Sequence, residues 1–184
     1  MAKKAAVVIF DGFEELEAAA PADLMRRAGI EVEVLTLTDS LAVRGRNSIE
    51  ISADARLCDR ADAEYDAVAI SGGPGTRRAM ESAELIKFAR RHFESGAITA
   101  AICAAPLILK KAGILAGRPC AAHPSAACEL ENVRGDAPVV RDANVITSRG
   151  AGTAVEFGLA LVEALAGRAA AEKTAESICF QNKF

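Results

Sequence analysis

The sequence lacks most of what would commit it to a specialised environment. It has no basic excess: 22 Lys and Arg against 25 Asp and Glu leave a net charge of −3 and a pI near 5.5. A nucleic-acid partner is therefore not expected. The arginine pairs at 26–27, 77–78 and 90–91 fall on separate predicted helices and read as solvated faces. The uncharged stretch Gly96 to Leu109 has 14 residues and is extended only by Ser95, short of the roughly 20 that span a bilayer. The apolar run Ala5 to Phe10 ends at Asp11 and is too short for a signal-peptide core. The five cysteines (Cys58, Cys103, Cys120, Cys128, Cys179) are odd in number and include no C-x-x-C pair. That is the usage of a reducing compartment, not of a disulfide framework. Linkers, low-complexity tracts and internal repeats are also missing. These absences predict a soluble, cytoplasmic protein with no membrane segment. A chain of 184 residues is expected to form one domain, 1–184, burying roughly 70% of its unfolded surface without a metal or disulfide staple.

What is present is an alternation of strand-like and helix-like runs. Residues 5–10 form a continuous apolar strand, as expected where both faces of a parallel sheet are covered. A helix follows over about 14–28, then a strand over 30–35 and a short hairpin over 42–53. Residues 67–70 read as a buried strand that ends in Ser71-Gly72-Gly73-Pro74-Gly75. A helix over 83–93 precedes a strand over 96–102 and a helix over 107–112. Short strands are expected near 119–122, 138–140 and 144–147, then a helix opened by Gly150-Ala151-Gly152 and a last helix over 168–179. Such alternation predicts an α/β sandwich with a mainly parallel sheet, whose ligands bind beyond the carboxyl ends of the strands.

Chemistry-bearing residues cluster at those ends. Cys103 falls where an apolar strand turns into a helix, among small neighbours (Ala101, Ala104, Ala105). That is the arrangement of a nucleophile elbow, and a helix N-terminus beneath it favours thiolate over thiol; a buried core cysteine is the alternative. Glu17 shares a helical stripe with Ala20, Pro21, Leu24 and Ala28, where a carboxylate is out of place. Pro21 cannot donate to the Glu17 carbonyl, so an irregular backbone is expected there, while Glu14 and Glu15 read as first-turn helix residues. A glutamate close to Cys103 would keep a proton and donate it to the thiolate. Gly72 and Gly73 either supply N–H groups to an oxyanion or form an ordinary Gly-Pro turn. His123 lies in a presumed loop before Pro124, whereas His92 sits beside Arg90 and Arg91 on a helix face expected to be solvated. Cys120, His123 and Cys128 lack paired metal-ligand spacing, and Gly150-Ala151-Gly152 lacks the third glycine of a dinucleotide fingerprint. No metal and no cofactor are expected.

Taken together, Glu14 to Glu17 through Met25 to Ile30, Tyr65-Asp66 to Gly73, Ala100 to Pro106, His123-Pro124 and Thr147 to Thr153 resemble the ThiJ/PfpI superfamily, in its DJ-one branch. The resemblance implies a flavodoxin-like three-layer sandwich and a homodimer. It places the reactive cysteine at Cys103, its partner glutamate at Glu17, the active-site histidine at His123, and oxyanion donors at Gly73 and Ala104. Members are described as cofactor-free glyoxalases, deglycases, oxidative-stress sensors or chaperones. The protease branch has a histidine directly after the cysteine; here that residue is Ala104, so peptidase or amidase activity is not expected. Asn47, preceded by Arg46, stands where related proteins often have an arginine. The function expected is a cysteine-dependent enzyme of the glyoxalase or deglycase kind acting on small dicarbonyls, with a redox sensor using Cys103 as the rival.

Overall fold

The computed structural model describes residues 2–181. The apolar run at the start becomes strand β1 (Lys4–Ile9), buried at every position after Lys4. It lies inside a seven-stranded sheet with β2 (Glu31–Thr36), β5 (Ala55–Arg56), β6 (Ala67–Ile70), β7 (Ile98–Ile102), β8 (Val139–Asp142) and β9 (Val145–Ser148), in the order β5-β2-β1-β6-β7-β9-β8. All pairings are parallel except β8 with β9. The hairpin forms its own two-stranded sheet from β3 (Ala42–Arg44) and β4 (Glu50–Ser52).

Helices α1 (Glu15–Arg27), α6 (Ala154–Ala166) and α7 (Arg168–Ser177) pack together, and α3 (Ala83–Glu94) packs with α4 (Pro106–Lys111) against β6 and β7. The short helices α2 (Thr76–Ala79) and α5 (Pro124–Ala127) sit in loops. The result is a flavodoxin-like three-layer α/β sandwich. Its strand order reverses between β1 and β6, which makes the carboxyl ends of β1, β6 and β7 the natural place for a ligand.

Three local expectations are corrected. Residues 119–122 are not a strand: Cys120 makes one isolated bridge with Val133. The Ala121 N–H goes instead to the Thr147 hydroxyl at 2.9 Å, so no ladder can propagate. Helix α1 runs through Pro21 unbroken, because only the Pro21 donor is missing. Pro21 lies on the face where α1 and α6 approach so closely that a Cβ on Gly158 would stand 3.0 Å from its Cα. Finally, His92 is not solvated but 3% exposed. Its Nδ1 bonds the Phe88 carbonyl at 2.8 Å, its Nε2 accepts the Tyr65 N–H at 3.3 Å, and its ring packs on Phe88.

Candidate active site

The loops after β1 and β6 interlock: the Glu14 N–H donates to the Gly72 carbonyl at 2.9 Å, and the Gly75 N–H donates to the Gly12 carbonyl at 3.1 Å. This clamp fixes the start of α1 over the end of β6. Glu14, Glu15 and Glu17 are all buried, at 7%, 5% and 1% exposure; Glu15 opens the first turn of α1, as expected, while Glu14 is its N-cap. Glu15 holds the hairpin tip, accepting from the Asn47 N–H at 2.7 Å, the Asn47 side-chain amide at 3.0 Å and the Ile49 N–H at 3.4 Å. Burial opposes its ionisation, but these amides and its own outweigh burial and hold its carboxyl below the ordinary value. Asn47 thus serves the hairpin, while Arg46 pairs with Glu14 at 3.4 Å.

Glu17 points the other way, under the sheet edge. Its Oε2 accepts the Gly72 N–H at 2.9 Å, and its Oε1 is buried with no conventional hydrogen-bond partner. The neighbour on that side is the Cys103 thiol. Burial is the largest influence on Glu17, pushing its carboxyl up to about 7 against the pull of Cys103 and the Gly72 amide. Gly72 has to be a glycine, because a Cβ there would stand 2.7 Å from the Cys103 Cβ and 2.8 Å from Glu17 Oε2.

Cys103 ends β7 in the left-handed region, at φ +66°, a conformation that costs a residue with a Cβ of order 1 kcal/mol or more. The strain is held by backbone bonds on both sides: its N–H donates to the Ser148 carbonyl at 2.9 Å and its carbonyl accepts from the His123 N–H at 2.8 Å. The elbow expected from the sequence is present. The thiol, however, is not lowered by its surroundings while Glu17 is ionised. Burial first, then the Glu17 charge and hydrogen bond, push it up to about 12, and the Gly73 and Ala104 amides aimed at the sulfur only partly offset this. The turn amides alone do not win, contrary to the simple helix-end expectation.

At this approach one proton can reside on either group. With that proton on Glu17, its charge vanishes and Oε1 becomes a donor to sulfur, which then accepts three hydrogen bonds. His123 stands at the rim, exposed, as N-cap of α5. Its Nδ1 accepts the Ser125 N–H at 3.2 Å and lies 2.8 Å from Ser125 Oγ. Ser125 was not singled out by the sequence, although Pro124 marks a helix start and so places His123 at the cap. All six expected positions, Cys103, Glu17, His123, Gly72, Gly73 and Ala104, therefore converge.

A flavodoxin-like sandwich with a cysteine on a strained strand-to-helix turn, facing a buried glutamate, defines the class: an α/β protein built around one thiol. The chain belongs to the DJ-1/PfpI family, whose model matches residues 3–164. It is 40% identical to Drosophila melanogaster dj-1beta over 97% of both chains, and 38% identical to the Danio rerio Parkinson disease protein 7 homolog over 90% of both. Among solved structures, Drosophila melanogaster DJ-1beta superposes with a TM-score of 0.95 at 36% identity, covering 99% of this chain and 100% of the other. Toxoplasma gondii DJ-1, solved in an oxidized form, gives 0.94 at 33% identity, covering 98% and 100%.

Proposed function

We propose that the protein is a cofactor-independent thiol enzyme that converts small α-oxoaldehydes, such as methylglyoxal, to 2-hydroxyacids. The observation that carries this is the buried Oε1 of Glu17, which has no partner but the sulfur it faces. That pairing provides nucleophile and proton carrier at one carbon. Cys103 sulfur adds to the aldehyde carbon; the S–C bond forms, the carbonyl π bond opens, and the oxygen takes a proton as a hemithioacetal. Glu17, helped by His123, then moves the proton from this carbon to its neighbour through an enediol. The Gly73 and Ala104 amides hold the developing oxyanion. Water hydrolyses the resulting thioester, releasing hydroxyacid and restoring the thiol, so no oxidant or reductant is consumed. His123 is exposed, whereas Gly73 is buried and Ala104 half-buried behind it, which suits a small substrate.

No metal enters this scheme, and dialysis against EDTA should leave turnover unchanged. No helix among the described residues is long and apolar enough to cross a membrane, which agrees with a cytoplasmic location. Leu16, Leu41 and Ile49 expose apolar side chains on α1 and around the hairpin, a surface that would suit the contact of a homodimer.

The rival from another class is a redox sensor in which Cys103 is oxidised and alters partner binding. It is favoured by the relative from Toxoplasma gondii, solved oxidized. Hydroxyacid formed per Cys103 over an hour, with buffer amines excluded, separates the two. Many equivalents in wild type, background in Cys103→Ser and nearly background in Glu17→Ala support the enzyme. A plateau at one equivalent supports the sensor.

A further inference from the structure

The parallel register of β7 and β9 sets Ile102 beside Ser148, and the Cys103 N–H donates to the Ser148 carbonyl at 2.9 Å. The turn that follows Ser148 is therefore tethered to the same backbone that carries the thiol. Within this turn the Thr153 hydroxyl donates to the Gly150 carbonyl at 2.9 Å and accepts the Gly150 N–H at 3.2 Å. The Thr153 N–H adds a third bond to the Gly150 carbonyl at 2.8 Å. Ser148 Oγ, 2.7 Å from Thr153 Oγ1 and 2.8 Å from the Pro138 carbonyl, holds the threonine in place. Gly150 is thus fixed at φ +156°, where a side chain is strained.

The direction in which Gly150 lacks a side chain has a specific address. A Cβ there would stand 3.6 Å from His123 Cδ2, 3.8 Å from Glu17 Oε1 and 4.0 Å from Cys103 Sγ. All three are van der Waals separations, so the point is open and bordered by the candidate nucleophile, proton carrier and histidine. A carbon bonded to Sγ stands much closer to sulfur than this point, so it is the group which that carbon carries, on the side facing Glu17, that reaches the space. The three bonds between Gly150 and Thr153 and the two contacts of Ser148 Oγ set this turn.

We infer that the bare face of Gly150 is the seat of the substrate group attached to the reacting carbon, and that it limits the site to unbranched, short α-oxoaldehydes. This depends on the carbonyl chemistry proposed above and names its substrate class more narrowly. Gly150 is a specificity-determining position: it contributes no reacting group, only the room in which the S–C bond can form. A methyl at this point would fill the seat, and substituents on the carbon next to the aldehyde would meet it first.

The test compares wild type, Gly150→Ala, Thr153→Val and His123→Ala. One readout is turnover of glyoxal, methylglyoxal and phenylglyoxal. The other is the rate of Cys103 labelling by iodoacetamide and by the bulkier N-ethylmaleimide, located by peptide mass spectrometry. In Gly150→Ala, turnover of the two larger aldehydes should fall relative to glyoxal by about 10- to 200-fold, the range for one methyl in a fitted pocket. Labelling should shift against the maleimide in the same sense. Thr153→Val exchanges the hydroxyl for a methyl within the turn, loosening it without placing a carbon at Gly150, and should leave both ratios as in wild type. His123→Ala removes the opposite wall and should shift labelling towards the maleimide, an arm that does not need Gly150→Ala to fold. Unchanged ratios in Gly150→Ala or His123→Ala, or the same size selection in Thr153→Val, would overturn the inference. If wild type turns over none of the aldehydes, the proposed activity fails, while the labelling ratios still decide whether Gly150 faces the approach to sulfur.

Discussion

Glu17 gives one carboxylate oxygen to the Gly72 N–H at 2.9 Å and leaves the other buried against Cys103 with no conventional partner. An ionised carboxylate in that position is half-solvated at best. A protonated one donates from the orphan oxygen to sulfur and satisfies both groups. The position of this proton can be measured.

The pH profile of Cys103 alkylation locates it. With the proton on Glu17, reactivity should rise through the pair's lower transition, near the Glu17 value of about 7, and not only towards 12. Such a transition belongs to the pair, not to either residue. In Glu17→Gln the side-chain amide is a weaker donor to thiolate, so the transition should move up while turnover falls about 10²- to 10⁴-fold. A wild-type profile that rises only near 12, and moves down in the Gln variant, would put the proton on sulfur. Site-resolved labelling is required because Cys58, Cys128 and Cys179 are exposed.

Glu17→Gln should also stabilise the protein, in a pH-dependent way. Burial raises the folded-state pKa of Glu17 from 4.5 to about 7. A group shifted upward favours folding fully below its unfolded value, and that contribution is lost as pH rises through the folded value. Above neutrality the native Glu17–Cys103 pair carries, on one member or the other, a buried charge that the unfolded chain keeps in water, a penalty of about 3 kcal/mol for such a shift. Urea unfolding should show the Gln variant more stable on the alkaline side of neutrality, the gap closing towards pH 4.5. A constant gap would show that Glu17 does not titrate.

His92 should make the fold acid-sensitive. Burial lowers its pKa below the ordinary 6.5, despite the Phe88 carbonyl that favours the charged ring. Below 6.5 the unfolded chain binds a proton that the folded state resists, so stability falls as pH drops through 6.5. Protonation would also turn Nε2 from acceptor to donor and orphan the Tyr65 N–H. His92→Gln should be less stable at neutral pH but show a flatter urea midpoint between pH 7 and pH 5, order-of-magnitude bounds set by the histidine reference value. An equally steep fall in that variant would assign the acid sensitivity elsewhere.

Removing the Glu15 carboxylate should free the hairpin tip. Its oxygens satisfy the Asn47 and Ile49 amides, and leaving such donors unpaired costs about 1–3 kcal/mol. Glu15→Ala should lower the unfolding free energy by that order and increase amide exchange at residues 45–49, with β1 and β7 unaffected. Unchanged exchange at the tip would show that the β3–β4 pairing holds the hairpin without Glu15.

Much of this was legible in the chain. A strand covered on both faces must be apolar at every position, so β1, β6 and the end of β7 stand out without any partner being known. Cys103 is marked by the change from strand pattern to helix pattern, and Glu17 by sitting on an apolar stripe. Those are local facts about which residues avoid water. The sequence also shows why 119–122 misleads: Cys120, Ala121 and Ala122 are buried and apolar like a strand, yet their backbone bonds go elsewhere.

What only the tertiary structure decided are relations between distant segments. Burial of His92 depends on Tyr65 arriving over its ring. The seat at Gly150 depends on β9 lying beside β7 in one register, so that a loop late in the chain faces a thiol in its middle. The upward shifts of Glu17 and Cys103 depend on how completely the loops after β1 and β6 exclude water. Periodicity reports which side of an element is dry. It carries no information about which other element supplies the dryness, and the distances and charge states of a site are set by that choice.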